Sequence, residues 1–567
     1  MRHTLAFLFL FAATLAPVFG QIPPPSSRER ILQRPSPLST QQPKLIVGIV
    51  VDQMRYDYLY RYQSKYGAGG FKRLLRDGFS CENTHFNYAP TYTGPGHAAI
   101  YTGTTPSVNG IIGNDWYDPE WGKNRYVTAD ERVRTVGAPG KAGQHSPAVM
   151  LSTTITDELR LATNFQSKVV GVCLKDRGSI LPAGHFPNAS YWFDDETGNW
   201  ITSTYYPDSL GLPQWVQQFN SRRLAAKHLA LDWTTLHPEG EYRESFMDWD
   251  KYEKRIKGNP DGKFPYRLSE LQKAAGTGYG LIRYTPFGNT LTLDFAMAAI
   301  DNMGLGTDEV PDFLCLSFSS TDYCAHQFGI HAVETQDTYL RLDAEIERLL
   351  KFLDEKFGGD NVLVFLTADH GGAETPMHLL SLKTPAGIFE ETKLEDALAA
   401  QIKQATGRAG DYILEVNNQQ IWLDRKALQR DGLKQADVET LIINYLRSLP
   451  GVYDAFTRAE LMQLPAEYPF VAETRRGFHP RRSGDILYQL DPAWHADDRF
   501  FKTGGTTHGS PYAYDTHVPL LWHGWRVRRG ETHAPVSITD IAPTLAAMLR
   551  IMEPNGTTGQ VIQDLMR

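Results

Sequence analysis

Lys44-Leu45-Ile46-Val47-Gly48-Ile49-Val50-Val51-Asp52 is an unbroken run of aliphatic and β-branched residues that ends on a carboxylate. A run that is apolar at every position, not at alternate ones, suits a strand covered on both faces, as in a parallel sheet. Three further runs repeat the shape. Residues 169–174 stop at Lys175, 313–318 lead to Asp322, and 362–368 stop at Asp369 and His370. Helical spacing lies between them, for example over 335–356, where Leu340, Ile346, Leu349, Leu350 and Leu353 are among the apolar positions. Strands alternating with helices predict an α/β fold with a mainly parallel central sheet and helices on both faces. Ligands of open α/β sheets bind beyond the carboxyl ends of the strands. An acid after one strand is ordinary loop chemistry, but four strands ending in charged or metal-binding residue types point to a site.

The chain has 567 residues, 41% of them hydrophobic, and a formal net charge of -8. That balance argues against nucleic-acid backbone binding as the main activity. It leaves room for a small anionic substrate gripped by a local cluster of cations. The first twenty residues read as a cleaved secretory signal: Arg2 and His3, an apolar run from Leu5 to Leu15, then Val18 and Gly20 at the small-residue positions before Gln21. The run is shorter than the roughly 20 residues a spanning helix needs. A periplasmic or secreted protein without a membrane anchor is expected.

Residues 21–43, rich in Pro, Ser and Gln, read as a flexible leader, and 44–567 as one catalytic domain with two insertions. The first, near 184–290, is rich in Tyr, Trp, Pro and Lys and is expected to form a cap or rim. The second, near 385–480, has helical patterns at 394–405 and 436–446 around strand-like 412–416 and 420–423, and predicts a small α+β subdomain. Residues 485–490 and 518–522 read as a return to the main sheet. The pairing of Cys81, Cys173, Cys315 and Cys324 stays open.

Asp52, the pair Asp322 and His326, the pair Asp369 and His370 before two glycines, and His508 in Gly504-Gly505-Thr506-Thr507-His508-Gly509 supply three carboxylates and three imidazoles. Each alone has an ordinary structural explanation. Together they make two sets of three, and mixed nitrogen and oxygen ligands suit catalytic zinc. In Pro90-Thr91-Tyr92-Thr93-Gly94-Pro95-Gly96-His97, Thr93 reads as a helix N-cap with Pro95 in the first turn. A helix start favours an anion, and a hydroxyl placed there can attack phosphorus. Lys175 and Arg177, two apart on a continued strand, would face one side, where Arg can grip a phosphoryl group in a bidentate way. Asn114 is an uncharged donor.

In order and type this set resembles the alkaline phosphatase superfamily, and within it the PafA-type monomeric alkaline phosphatases, from about Lys44 to the C-terminus. Residues 539–545, Thr-Asp-Ile-Ala-Pro-Thr-Leu, resemble the superfamily's closing helix. The resemblance implies two zinc ions, one held by Asp322, His326 and His508, the other by Asp52, Asp369 and His370 with Thr93 as reactive ligand. It implies that Asn114, Lys175 and Arg177 bind the non-reacting phosphoryl oxygens, that the protein is a monomer, and that its specificity for small phosphate esters is broad. Sulfatases need a Cys or Ser in a Cys/Ser-x-Pro-x-Arg setting, which Thr93-Gly94-Pro95-Gly96-His97 does not provide. Type I phosphodiesterases and nucleotide pyrophosphatases share the threonine and the metal set but lack the Lys-x-Arg pair in that role. Extra cations favour a dianionic monoester over a monoanionic diester. The expected activity is therefore zinc-dependent hydrolysis of phosphate monoesters through a phosphothreonine. A diesterase or pyrophosphatase using the same site is the first alternative. A phosphoryl transferase and a non-catalytic zinc or phosphate-binding protein are more distant ones.

Overall fold

The four apolar runs form the middle of a ten-stranded sheet. The computed structural model describes residues 42–207, 211–248, 251–259, 261–276, 278–496 and 504–566. The expected signal peptide and the leader up to residue 41 lie outside the described residues. Across the sheet the order is Gly530–Thr532, Phe79–Cys81, Leu520–Gly524, Val362–Thr367, Leu45–Val51, Asp312–Phe318, Val169–Cys173, Ala189–Asp194, Asn199–Ser203 and Thr135–Val136. The five strands from Val362–Thr367 to Ala189–Asp194 are parallel. Antiparallel partners flank them, Leu520–Gly524 on one side and Asn199–Ser203 on the other. Every residue of the four runs that became strands is buried, as runs without polar alternation require when both sheet faces are covered. Parallel pairing then brings Asp52, Lys175, Asp322 and Asp369 out at one edge of the sheet.

Helices Phe287–Asn302 and Asp176–Ala183 pack on strands Asp312–Phe318 and Val169–Cys173. The helix expected over 335–356 runs from Val333 to Phe357. The closing segment is a 3₁₀ turn, Ile538–Asp540, followed by helix Ile541–Leu549. Within 184–290 the chain first adds two strands to the main sheet and then forms helices Gln214–Ser221, Leu224–Leu229 and Leu268–Ala275.

A second sheet of four strands, in the order Ile413–Asn417, Gln420–Leu423, Ile486–Leu490, Val452–Thr457, is packed with helices Leu394–Thr406 and Gln435–Ser448 around its own apolar core. Ile486–Leu490 was expected in the main sheet and belongs instead to this one, antiparallel to both its neighbours. A short apolar run reads alike in either sheet, because hydrophobic pattern does not name a strand's partner. Leu520–Gly524 does return to the main sheet. All four cysteines are buried and unpaired.

Candidate active site

Four strand ends meet at the carboxyl edge with the helix start at Thr93, the segment of Asn114 and the loop of His508. Asp52 follows the first strand directly, and its main-chain N–H donates to Phe318 O at 3.0 Å. Asp322 and His326 share one face of helix Ser320–Phe328, as residues four apart do. His326 Nε2 lies 3.0 Å from Asp322 Oδ1. Asp369 and His370 follow strand Val362–Thr367. The loop carrying His508 crosses helix Ser320–Phe328 at Gly505. That glycine has φ +73°, and a Cβ there would stand 2.2 Å from His326 O, so only glycine lets the loop pass this close.

The three imidazoles are held alike. His370 Nδ1 lies 2.9 Å from Gly371 O, His326 Nδ1 2.7 Å from Thr506 O, and His508 Nδ1 2.7 Å from Thr91 O. A carbonyl only accepts, so each ring carries its proton on Nδ1 and presents the Nε2 lone pair to the site. Burial holds the pKa of His370 below the usual histidine range, and His508 further below it, helped there by the neighbouring His370 and His326. Both rings are thus neutral, as a metal ligand must be. They stack with centroids 3.4 Å apart.

The lone pairs face carboxylates. His370 Nε2 is 3.5 Å from both Asp52 Oδ1 and Asp369 Oδ2, and His508 Nε2 is 3.7 Å from Asp322 Oδ1. Asp52 and Asp369 are fully buried and Asp322 is nearly so. Asp52 Oδ1, Asp322 Oδ1 and Asp369 Oδ2 accept no hydrogen bond among the described residues. Lys175 Nζ bridges two of the acids, 2.7 Å from Asp52 Oδ2 and 2.5 Å from Asp322 Oδ2. Burial pushes Asp52 well above the ordinary carboxylate range, reinforced by the charges of Asp322 and Asp369. Burial would raise Asp322 and Asp369 as well, but His326 and Lys175 pull the first down, and His370 and His97 the second.

Three acids buried together need more positive charge than one lysine brings. Two groups have ligand atoms mutually within 4.8 Å: Asp52, Asp369 and His370, and Asp322, His370 and His508. The first is the set the resemblance implied. The second takes His370 in place of His326, although His326 Nε2 remains beside Asp322. Three nitrogens and three carboxylates fit zinc better than magnesium or calcium, which favour all-oxygen ligands.

Thr93 is not the N-cap it was expected to be. Helix Thr93–Thr102 begins at Thr93 itself, and the extended Tyr92 is the N-cap, with no side-chain capping bond. The Thr93 hydroxyl is therefore not engaged by the helix; Oγ1 sits 3.5 Å from His370 Nε2. Gly94 N donates to Asn114 Oδ1 at 2.8 Å, which leaves the Asn114 amide Nδ2 as donor toward the site. Lys175 and Arg177 also reach the site by another route than a continued strand. Strand Val169–Cys173 stops, Lys175 becomes the N-cap of helix Asp176–Ala183, and Arg177 sits in its first turn. Arg177 Nη1 donates to Tyr126 Oη at 3.0 Å, while its buried Nε has no hydrogen-bond partner among the described residues.

One residue without an expected role is built into the centre. His97, fully buried, places Nδ1 2.9 Å from Thr93 O and 3.3 Å from Asp369 Oδ2, and Nε2 2.9 Å from Ser317 Oγ. Its spacing of four from Thr93 on one helix was the only signal available in the sequence. Beyond these groups the site opens into a cleft of about 600 Å³, whose far wall is the four-stranded subdomain.

Against known proteins, residues 46–526 match the family described as type I phosphodiesterase / nucleotide pyrophosphatase. The chain is 46% identical over 527 residues to alkaline phosphatase PafA of Elizabethkingia meningoseptica, covering 93% of this chain and 95% of that one. It is 45% identical over 528 residues to a Myroides odoratus protein described as a calcium-transporting ATPase, covering 92% and 95%. The crystal structure of wild-type PafA matches with a TM-score of 0.89 at 44% identity, over 93% of this chain and 99% of that one.

Proposed function

This chain belongs to the type I phosphodiesterase / nucleotide pyrophosphatase family and hydrolyses phosphate monoesters as an alkaline phosphatase, and on that premise we propose that it works with two zinc ions and Thr93 as nucleophile. Asp52, Asp369 and His370 would hold one ion, and Asp322, His326 and His508 the other. Bound zinc would supply Lewis-acid polarisation of oxygen and a lowered hydroxyl pKa. The observation that carries this reading is the shared orientation of the three histidines, each with Nδ1 on a main-chain carbonyl and Nε2 toward a buried carboxylate beside Thr93.

Thr93 Oγ1 forms the new bond to phosphorus while the ester oxygen leaves. Water then attacks the phosphothreonine, freeing Thr93 and phosphate. Asn114 Nδ2, Lys175 and Arg177 hold the oxygens that do not react, where the transition-state charge is spread. Two cations aimed at one phosphoryl group favour a dianionic monoester over a diester. ATP also ends in a phosphoryl group of this kind, so the phosphatase and ATPase descriptions of the relatives draw on one chemistry. Export to the periplasm through residues 1–20 and a monomeric state complete the proposal. Among the described residues no helix is long and apolar enough to cross a membrane.

Thr93→Ala tests it. The purified variant is expected to keep about two zinc per chain by metal analysis and to lose at least ~100-fold in kcat on an aryl phosphate. Near-normal turnover would remove Thr93 from the mechanism, and a wild-type chain active without bound metal would remove the zinc.

A further inference from the structure

Arg283 is tied to Lys175 from two directions. It lies in the 3₁₀ turn Gly280–Tyr284, at the end of the first insertion. Its side chain is 11% exposed, and a guanidinium withdrawn from water must be paired or hydrogen-bonded. Nε donates to Asp195 Oδ1 at 2.6 Å and Nη2 to Phe193 O at 3.1 Å, where strand Ala189–Asp194 ends. Nη1 donates to Leu174 O at 3.1 Å and to Tyr323 Oη at 3.2 Å. One planar fork thus joins the ends of two neighbouring parallel strands to helix Ser320–Phe328, which carries Asp322 and His326.

Both Nη1 contacts lead to Lys175. Leu174 precedes it, so the bonded carbonyl belongs to the Leu174–Lys175 peptide. Tyr323 lays its ring against the ammonium, with Nζ 4.9 Å from the ring centroid, and an aromatic face attracts a cation. A lysine needs such a hold, because its charge rides on a flexible four-carbon stem. This one caps helix Asp176–Ala183 without a side-chain capping bond. Its remaining close partners have other demands on them. Asp52 and Asp322 are also proposed zinc ligands, and Arg177 brings a like charge. Resting on the role proposed above for Lys175, we infer that Arg283 is its positioning residue. Through the Leu174 carbonyl and the Tyr323 ring it aims the ammonium at the phosphoryl group, and so sustains the preference for dianionic monoesters without touching substrate.

The test is a double-mutant comparison on the zinc-loaded enzyme. It reads the ratio of kcat/KM on an aryl phosphate to kcat/KM on the matching methyl aryl diester. Arg283→Met is expected to lower that ratio about tenfold, within the cost of a small displacement at a reacting centre. Arg283→Lys, which keeps the charge and loses the fork, should fall with it. Tyr323→Phe removes one hydroxyl and keeps the ring; it is expected to lower the ratio about threefold, the scale of one lost hydrogen bond. In a Lys175→Ala background none of the three should lower the ratio further, and zinc content should match wild type throughout. Should Arg283→Met fail to fold, Tyr323→Phe decides. An unchanged ratio in Tyr323→Phe, a wild-type ratio in Arg283→Lys, a further fall in the Lys175→Ala background, or lost zinc would overturn the positioning role while leaving Lys175 in place. A wild-type ratio in Lys175→Ala alone would instead overturn the role of Lys175 itself.

Discussion

His97, fully buried, has both ring nitrogens engaged within the protein. It ties the carbonyl of Thr93 and the carboxylate of Asp369 to Ser317 on a neighbouring strand. Gly96, one residue earlier, permits this approach: a Cβ there would lie 2.2 Å from Asp369 O. On the function proposed above, His97 is thus a positioning residue for the proposed nucleophile and for one proposed ligand at once. Groups that orient a metal ligand typically change affinity by about 10–100-fold when removed. His97→Ala is expected to weaken zinc binding by that much in chelator competition, with far-ultraviolet circular dichroism unchanged. Zinc affinity equal to wild type would reduce His97 to core packing. The candidate ligand residues were legible in the sequence from their types and strand-end positions. It could not reveal Ser317 as the partner of His97, because the pair is 220 residues apart.

At the scale of elements, the start of helix Asp176–Ala183 is the unit that aims positive charge. Asp176 accepts from Tyr126 Oη at 2.9 Å and from the Thr128 hydroxyl, and Arg177 donates to the same Tyr126 oxygen. The turn that replaces a continued strand is therefore fixed from outside, by a hairpin some fifty residues earlier. Local sequence held no sign of it, and the strand reading of Lys175 and Arg177 failed for that reason. Their proposed convergence rests instead on the N-cap and the first helical turn, which also lie close together. Replacing both residues by alanine is expected to lower kcat/KM on an aryl phosphate by at least ~100-fold, since one well-placed transition-state donor is worth about that much. The matching methyl aryl diester should lose far less, having one phosphoryl charge fewer. Equal losses, measured side by side in one buffer, would show that the pair does not select for substrate charge.

For the whole molecule, four continuous apolar runs were enough to place the sheet and its active edge, because burial on both faces leaves a pattern that needs no partner to be read. The second sheet was only half legible, since Ile486–Leu490 carries the same pattern into a different layer. The buried titratable groups of both layers together set a pH dependence that no single element shows. Burial pushes Glu334 up to about 8 and Asp515 up to about 7, against roughly 4 for carboxyls in an unfolded chain. Between those values the folded state binds protons that the unfolded state does not, so stability falls as pH rises and levels off above about 8. Burial lowers His85 and His479 to about 4 and His495 to about 3. These act in the opposite sense, adding stability as pH rises toward their unfolded value of about 6.5. Above 6.5 the contribution of these three histidines is complete, while that of the raised carboxyls still changes. Unfolding free energy should therefore decline from pH 6.5 to 8.5, by up to about 2 kcal/mol from Glu334, at about 1.4 kcal/mol per proton and pH unit. Glu334 lies at the start of helix Val333–Phe357, with Oε1 accepting from Tyr266 Oη and Oε2 without a hydrogen-bond partner among the described residues. A glutamine keeps that bond and cannot ionise. Urea titrations of wild type and Glu334→Gln at both pH values, with zinc bound in each so that metal linkage cancels, should show most of the decline removed in the variant. An equal decline in both would mean that Glu334 ionises inside the fold as readily as outside it.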